Sequence, residues 1–128
     1  MQKDSTRVAV GILAGVALLV ALSMPAYAHH GWGGNEEQES TLTGTLEAPV
    51  SLAGPHATMK LKVNGQVWDI TLAPSNRTAG AGLTEKVIPL GSTVTVVGHK
   101  NKTANRFEFK TERVTYNDKV YAVYPNLH

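Results

Sequence analysis

The chain has 128 residues, with 12 Lys and Arg against 10 Asp and Glu, five His and no Cys. This length allows one ordinary domain and excludes a multidomain enzyme. Without cysteine the chain has no disulfide framework, no thiolate metal site and no cysteine nucleophile, and a net charge of +2 is too small to indicate a nucleic-acid-binding protein.

The first 28 residues have the three parts of a secretory signal peptide. Lys3 and Arg7 precede an apolar run of 15 residues at 8–22, and Pro25 and the small-residue motif at 26–28 follow it. The alternative is an uncleaved membrane anchor, but a span requires about 20 apolar residues. We therefore expect cleavage after Ala28 and a mature chain without a stable membrane span. Its expected location is the periplasm of a Gram-negative cell, with secretion from a Gram-positive cell as the alternative.

Residues 29–40 differ in composition from the rest of the mature chain. They are rich in His, Gly and Glu, which predicts a flexible N-terminal arm. Glu36, Glu37 and Glu39 are most simply a solvated acidic run. Residues 41–128 are predicted to form a single small β-barrel domain.

The first predicted strand covers residues 41–46. Leu42, Gly44 and Leu46 alternate with threonines and so share one face. Gly44 within that row indicates a bulge or a bend. Residues 48–55 contain two prolines and are predicted to be a connection.

A β-hairpin is predicted on either side of Asn64-Gly65. Residues 57–63 and 66–72 both alternate with period two, and Asn-Gly is the strongest short hairpin signal. The positions that this alternation places inward are Ala57, Met59, Leu61, Val63, Trp68, Ile70 and Leu72.

The remaining residues predict one helical turn and three more strands. Residues 74–83 indicate a short helix with Ser75 as N-cap, and residues 89–91 indicate a turn. Residues 92–98 form a β-branched strand, followed by a polar hairpin loop over 99–105. In residues 106–116 the alternating apolar residues change from odd to even positions between Phe109 and Val114, which indicates a bulge. The final strand covers residues 119–124.

Five or six short strands with one helical connection after the third predict an all-β protein. This order fits a small OB-like Greek-key barrel, although it also fits other small barrels. A closed barrel has few exposed edges, which suits an exported protein without disulfides.

The chain also resembles a family of small exported bacterial proteins of unknown function. The resemblance rests on His29-His30-Gly31-Trp32, Thr43-Gly44-Thr45, Gly54-Pro55-His56-Ala57, Trp68, Pro74-Ser75 and residues 91–99, in that order. Gly54 stands where the family has Asn in an Asn-Pro-His-Ala element. The resemblance implies export and a small β-barrel, and it implies no biochemical activity.

Cleavage after Ala28 would expose the α-amine of His29. This amine and the ring of the same residue can chelate Cu(II), and a second imidazole from His30, His56 or His99 can complete the site. The arrangement resembles the histidine brace of copper monooxygenases and copper carriers. The alternative is that His29 and His30 are ordinary solvated residues, that His56 is a surface residue at a strand entry, and that His99 is a turn residue.

No catalytic motif is present in the sequence, which argues against an enzyme. Phe107, Phe109 and the tyrosines of the last strands are assigned to core packing, because near-neutral charge argues against a nucleic-acid stacking platform. Three functions stay open. The first is a periplasmic binding or accessory module for a small ligand, metal ion or protein. The others are a copper-binding protein that uses His29 and an envelope protein-interaction module without ligand chemistry.

Overall fold

The computed structural model describes residues 32–125, so the predicted signal peptide, His29, His30 and His128 lie outside the described range. The chain divides into two compact units, residues 1–33 and 34–128, and the regular elements described for residues 32–125 lie in the second. These elements are β1 (Ser40–Ser51), β2 (His56–Val63), β3 (Gln66–Pro74), α1 (Ser75–Gly80), β4 (Thr93–Lys100), β5 (Glu108–Tyr116) and β6 (Lys119–Ala122). Within residues 32–125 no helix has the length and hydropathy to cross a membrane.

Five of the strands close into a barrel. Their hydrogen-bonded order is β3-β2-β1-β4-β5, and a parallel pairing of β3 with β5 closes the sheet on itself. The first half of β1 pairs with β4 and the second half with β2, so that Thr45 lies opposite both Thr93 and Lys62. The sixth strand, β6, extends the sheet from β5. The predicted small all-β Greek-key barrel with a short helix after the third strand is confirmed.

The barrel interior contains inward positions of the predicted hairpin together with residues of β4 and β5. Leu61 and Leu72 of the hairpin have no exposed surface, and neither have Val94, Val96 and Val114. Val63 and Trp68 are half-buried against it. The Trp68 ring makes edge-to-face contacts with Phe107 at 5.3 Å and Phe109 at 6.5 Å between centroids. Trp68 is therefore a packing residue at the margin of the core, in agreement with its alternation.

The first strand is longer than predicted. Residues 48–51, expected to be a connection, continue β1, and Val50 among them is buried. The pairing with β2 shifts register between Leu46 and Ala48 and again between Ala48 and Ser51. Proline lacks an N–H group, and these irregular pairings accommodate exposed Pro49.

Gly44 lies within β1, and neither register shift of the strand lies at this position. Its pairing opposite Val94 is regular. A Cβ atom at Gly44 would collide with the carbonyl oxygen of Lys62. Glycine is needed here because the backbones of β1 and β2 approach closely where β1 passes from one partner strand to the other.

The predicted hairpin and helix are both present. Asn64 and Gly65 have φ values of 49° and 83°, as a type I′ turn requires. The helix starts after Pro74, and Ser75 is not its capping residue. The Ser75 hydroxyl instead donates to the carbonyl oxygen of Gly54 at 2.5 Å, which fixes the helix to the loop before β2.

The β4–β5 connection lies two residues later than predicted, at 101–107 rather than 99–105. His99 and Lys100 continue β4 and pair with Lys110 and Phe109, so His99 is a strand residue rather than a turn residue. The predicted bulge of β5 is present. Val97 pairs with Arg113 and Gly98 pairs with Thr111. Glu112 therefore is the extra residue of the bulge, with no paired residue on β4.

Candidate functional site

A histidine and a glutamate meet where β4 and β5 are out of register. His99 Nε2 lies 2.6 Å from Glu112 Oε2, and their side chains are 18% and 2% exposed. A bulge redirects the side chains around it, and bulges are common next to functional sites. Gly98 lies opposite this bulge, where a Cβ atom would collide with the Lys110 carbonyl oxygen. The glycine therefore permits the close approach of β4 and β5 that brings His99 to Glu112.

Both ring nitrogens of His99 contact protein oxygen atoms. Nδ1 lies 2.9 Å from the backbone carbonyl oxygen of Glu36, and Nε2 faces the carboxylate of Glu112. A carbonyl oxygen only accepts hydrogen bonds, so Nδ1 must carry a proton. The second contact needs a further proton, carried either by Nε2 or by Glu112.

The segment that supplies Glu36 is the end of the predicted arm. We define the docked arm as residues 34–39. The Glu36 N–H donates to the Lys100 carbonyl oxygen at 2.8 Å, and the Asn35 side chain donates to the His99 carbonyl oxygen at 2.9 Å. Glu39 accepts from Arg113 at 3.3 Å. This part of the predicted flexible arm is attached to the barrel, because the end of β4 offers backbone groups to pair with.

The structure describes two of the four predicted copper ligands, and these two lie on different strands. His56 begins β2 opposite Pro74, whereas His99 is held on β4. No group of three His, Cys, Asp or Glu residues suited to a metal ion occurs within residues 32–125. His29 and His30 lie outside the described residues, so the histidine brace stays a prediction. His99 contacts Glu36 and Glu112, and His30, His56 and His99 all stay predicted second rings.

A second feature is a cleft of about 400 Å³ beside the irregular part of β1. It lies where β1 shifts register against β2, and it extends across β2 to β3. Its lining residues are Ala48, Pro49, Ser51, Thr58, Met59, Lys60, Asp69, Ile70 and Thr71. The volume lies in the range of small-molecule sites, which runs from about 300 to 1,000 Å³.

The polar groups of the cleft are three hydroxyls and one ion pair. Ser51, Thr58 and Thr71 contribute the hydroxyls, and Lys60 Nζ lies 3.6 Å from Asp69 Oδ1. Both charged side chains are more than half exposed, so their mutual attraction is screened by water. They are therefore able to turn toward a ligand at little cost.

Sequence reasoning missed Glu112 and the cleft. The shift of apolar phase in β5 located the bulge, but it did not single out the glutamate inside it. The cleft depends on β1 register shifts, whose only sequence signal was Pro49 within an apolar stretch. The contact of His99 with the arm joins residues 63 positions apart, and no local pattern reports such a contact.

The sequence profile of DUF6152, a family of unknown function, matches residues 16–110. The chain belongs to this family. Membership confirms the predicted resemblance to an uncharacterised family. No protein of curated function matches the DUF6152 chain.

Solved structures of TiaS have a similar fold. The ZRD-deleted mutant of TiaS in complex with agmatine has a TM-score of 0.50 and 12% identity over 67% of this chain. The complex of TiaS with its tRNA, AMPCPP and agmatine has a TM-score of 0.47 and 14% identity over 62% of it. The matched regions are only 26% and 18% of those TiaS chains. The first similarity supports the barrel fold alone.

Proposed function

We propose that this DUF6152 chain is an exported binding module that takes a small ligand in the cleft between β1 and β3. The observation that carries the proposal is the cleft itself, because its size and composition suit a small molecule. The signal-like sequence at 1–28 supports export to the periplasm. A non-catalytic role agrees with the lack of a catalytic motif in the sequence.

The lining of the cleft favours a small ligand that is apolar on one side and zwitterionic on the other. Ala48 and Pro49 offer apolar contact. Lys60 and Asp69 offer one charge of each sign, with 3.6 Å between Nζ and Oδ1. A ligand with an ammonium and a carboxylate group would pair with both, whereas a simple anion or cation would compete with one of them. Apolar amino acids and short peptides are the simplest such ligands.

The test is an NMR titration of the ¹⁵N-labelled protein with apolar amino acids and dipeptides. We expect amide shifts centred on Ser51, Thr58 and Thr71. The charge-neutral double variant Lys60→Gln with Asp69→Asn should weaken binding about tenfold or more, since it removes two charge-assisted contacts.

A variant that fills the cleft with a large side chain provides a second test. Thr58→Tyr occupies the cleft and should abolish the titration, whereas Thr93→Tyr lies at an exposed position of β4 outside it and should not. Amide chemical-shift changes that lie outside the cleft would refute the proposed site. Equal ligand binding by the two tyrosine variants would refute it as well. Capture of an envelope protein that Thr58→Tyr leaves unchanged would instead favour the interaction-module alternative.

Export is tested separately by cell fractionation and N-terminal sequencing. A protein that starts at His29 in the periplasmic fraction is the expected result. Ala28→Arg should block processing, because signal cleavage requires small residues at that position. Retention of residues 1–28 by the unmodified protein would contradict the export proposal without affecting the cleft.

A further inference from the structure

We propose that Asn64 is a site of spontaneous covalent modification, at which the side-chain amide is lost after attack by the backbone nitrogen of Gly65. The two residues form the exposed turn between β2 and β3. Asn64 supplies an amide carbonyl carbon, and Gly65 supplies a neighbouring backbone nitrogen that no side chain shields. Water is the only co-reactant, so the folded protein undergoes the reaction without an enzyme.

The reaction has two steps. In the first, the Gly65 nitrogen gives its proton to hydroxide and forms a bond to Asn64 Cγ, and the Cγ–Nδ2 bond breaks as ammonia leaves with a proton from water. In the second, water opens the resulting cyclic imide at either of its two carbonyl carbons. One opening gives aspartate, and the other gives isoaspartate, in which the main chain runs through the former side-chain carbon. In both products an amide has become a carboxylate, so the mass rises by about 1 Da and a negative charge is added.

The surroundings of Gly65 leave the attacking nitrogen accessible. A Cβ atom at this position would meet nothing within 4 Å, so no neighbouring segment covers the turn. The Gly65 N–H donates no hydrogen bond to any group of residues 32–125, and the Asn64 side chain makes none there either. Attack therefore breaks no hydrogen bond of these two groups.

Three other asparagines have their side-chain amides engaged. The amides of Asn35 and Asn101 donate to other protein groups at 2.9 and 3.4 Å. Asn76 Oδ1 accepts a hydrogen bond from the Arg77 N–H at 2.9 Å. All three are followed by residues with long side chains, which crowd the attacking nitrogen. These asparagines are therefore expected to react slowly.

Two further asparagines share the exposure and the positive φ of Asn64. They are Asn105 and Asn117, with φ values of 67° and 51°. Asn117 is the better comparison, because with Asp118 it forms the two-residue turn between β5 and β6. Asn64 and Asn117 thus have similar backbone settings and differ in the residue that follows. Glycine at the following position is what distinguishes Asn64.

Isoaspartate at position 64 would alter the hairpin. It adds a carbon atom to the main chain of a turn that closes directly onto the paired residues Val63 and Gln66. A type I′ turn has two central residues of ordinary backbone length, so the longer chain does not fit it. The modified protein should therefore have a lower melting temperature than the unmodified protein.

The experiment incubates the purified protein in mildly alkaline buffer and follows each asparagine by peptide-mapping mass spectrometry. Labelling by an isoaspartate methyltransferase distinguishes isoaspartate from aspartate. We expect Asn64 to react about tenfold or more faster than Asn105 and Asn117, and to give both products. An Asn64 that reacts no faster than these two would overturn the proposal. A product with aspartate but no isoaspartate would overturn it as well, because direct hydrolysis would then explain the change.

Two reciprocal variants test the role of the following glycine. Gly65→Asn keeps a residue that tolerates positive φ but adds a side chain, and it should slow the reaction at Asn64 about tenfold or more. Asp118 has a φ of 63°, which glycine adopts readily, so Asp118→Gly should keep the β5–β6 turn and accelerate the reaction at Asn117 by a similar factor. Circular dichroism checks that both variants are folded. Unchanged rates at Asn64 and Asn117 in these variants would overturn the assignment.

Discussion

At the scale of single residues, the buried polar groups of this barrel fall into two kinds. Thr78 and Thr111 both have no exposed surface. The Thr78 hydroxyl donates to the Ala73 carbonyl oxygen at 2.9 Å. The Thr111 hydroxyl has no hydrogen-bond partner within residues 32–125. A buried hydroxyl contributes to stability only where it is satisfied, so the two threonines should respond oppositely to the same substitution.

Thr111→Val should raise the free energy of unfolding by about 1 kcal/mol, because it replaces an unsatisfied hydroxyl with a methyl group of similar size. Thr78→Val should lower it by about 1 kcal/mol, because the Ala73 carbonyl loses its donor. Urea denaturation of both variants and the wild type measures the difference. Equal changes in the two variants would contradict this distinction.

At the scale of elements, the cleft and the His99–Glu112 contact both lie at irregularities of strand pairing. The shifts in β1 lie beside the cleft, and the bulge in β5 contains Glu112. Gly98 permits the close approach of β4 and β5 at this bulge, and Gly44 permits a close approach of β1 and β2 outside the register shifts. The β2–β3 hairpin has unbroken pairing from Thr58 to the turn, and its local sequence is sufficient to specify it.

The turn of this hairpin provides a direct test of its backbone conformation. Gly65 has a φ of 83°, which a β-branched residue adopts only under strain. Gly65→Val should lower the free energy of unfolding by about 1–3 kcal/mol.

Gly65→Asn is the matched control, because asparagine tolerates positive φ, and it should cost less than about 1 kcal/mol. No Cβ contact exists within 4 Å of Gly65, so the difference isolates backbone strain from steric collision. Thermal melts that do not separate the two variants would show that the turn tolerates another conformation.

At the scale of the whole molecule, closure of the barrel depends on contacts between distant parts of the chain. The β3–β5 pairing joins Ile70 to Phe109, and the Asp69 N–H donates to the Phe107 carbonyl oxygen at 2.9 Å. Trp68 covers this junction through its contacts with Phe107 and Phe109. The docked arm attaches to the end of β4 through hydrogen bonds of Glu36 with Lys100 and His99.

The predicted copper site concerns the mature N-terminus and is tested on the whole protein. A protein that starts at His29 should bind one Cu(II) more tightly than Zn(II), and binding should weaken below about pH 6.5, where imidazole gains a proton. Calorimetric titration measures both. A Met residue left ahead of His29 should abolish the tight site, since it converts the amine to an amide.

His56→Ala and His99→Ala, tested in turn, identify the second ring in the same assay, and His30→Ala tests the neighbouring residue. Equal Cu(II) affinity of the protein that starts at His29 and the protein with a preceding Met would contradict the predicted histidine brace. The proposed binding module would then have no metal.

Much of the barrel could be read from local sequence. Alternation around Asn64-Gly65 specified a complete hairpin, and the phase change between Phe109 and Val114 located the β5 bulge. These features are local, because side-chain period and turn chemistry depend on neighbouring residues. The extent of β1 through Pro49 was missed, because its pairing with β2 outweighs the local preference for a break.

The sequence by itself determined the strand faces, the hairpin turn and the all-β class, because each depends on the alternation of adjacent residues. Only the tertiary structure decided the rest of the candidate site. His99 was predicted to lie in a turn, yet strand pairing extends through it and the bulge brings Glu112 to its ring. The Glu36 contact and the cleft likewise depend on register between separate strands and on chain closure, and pairing energies over long sequence separations fix both.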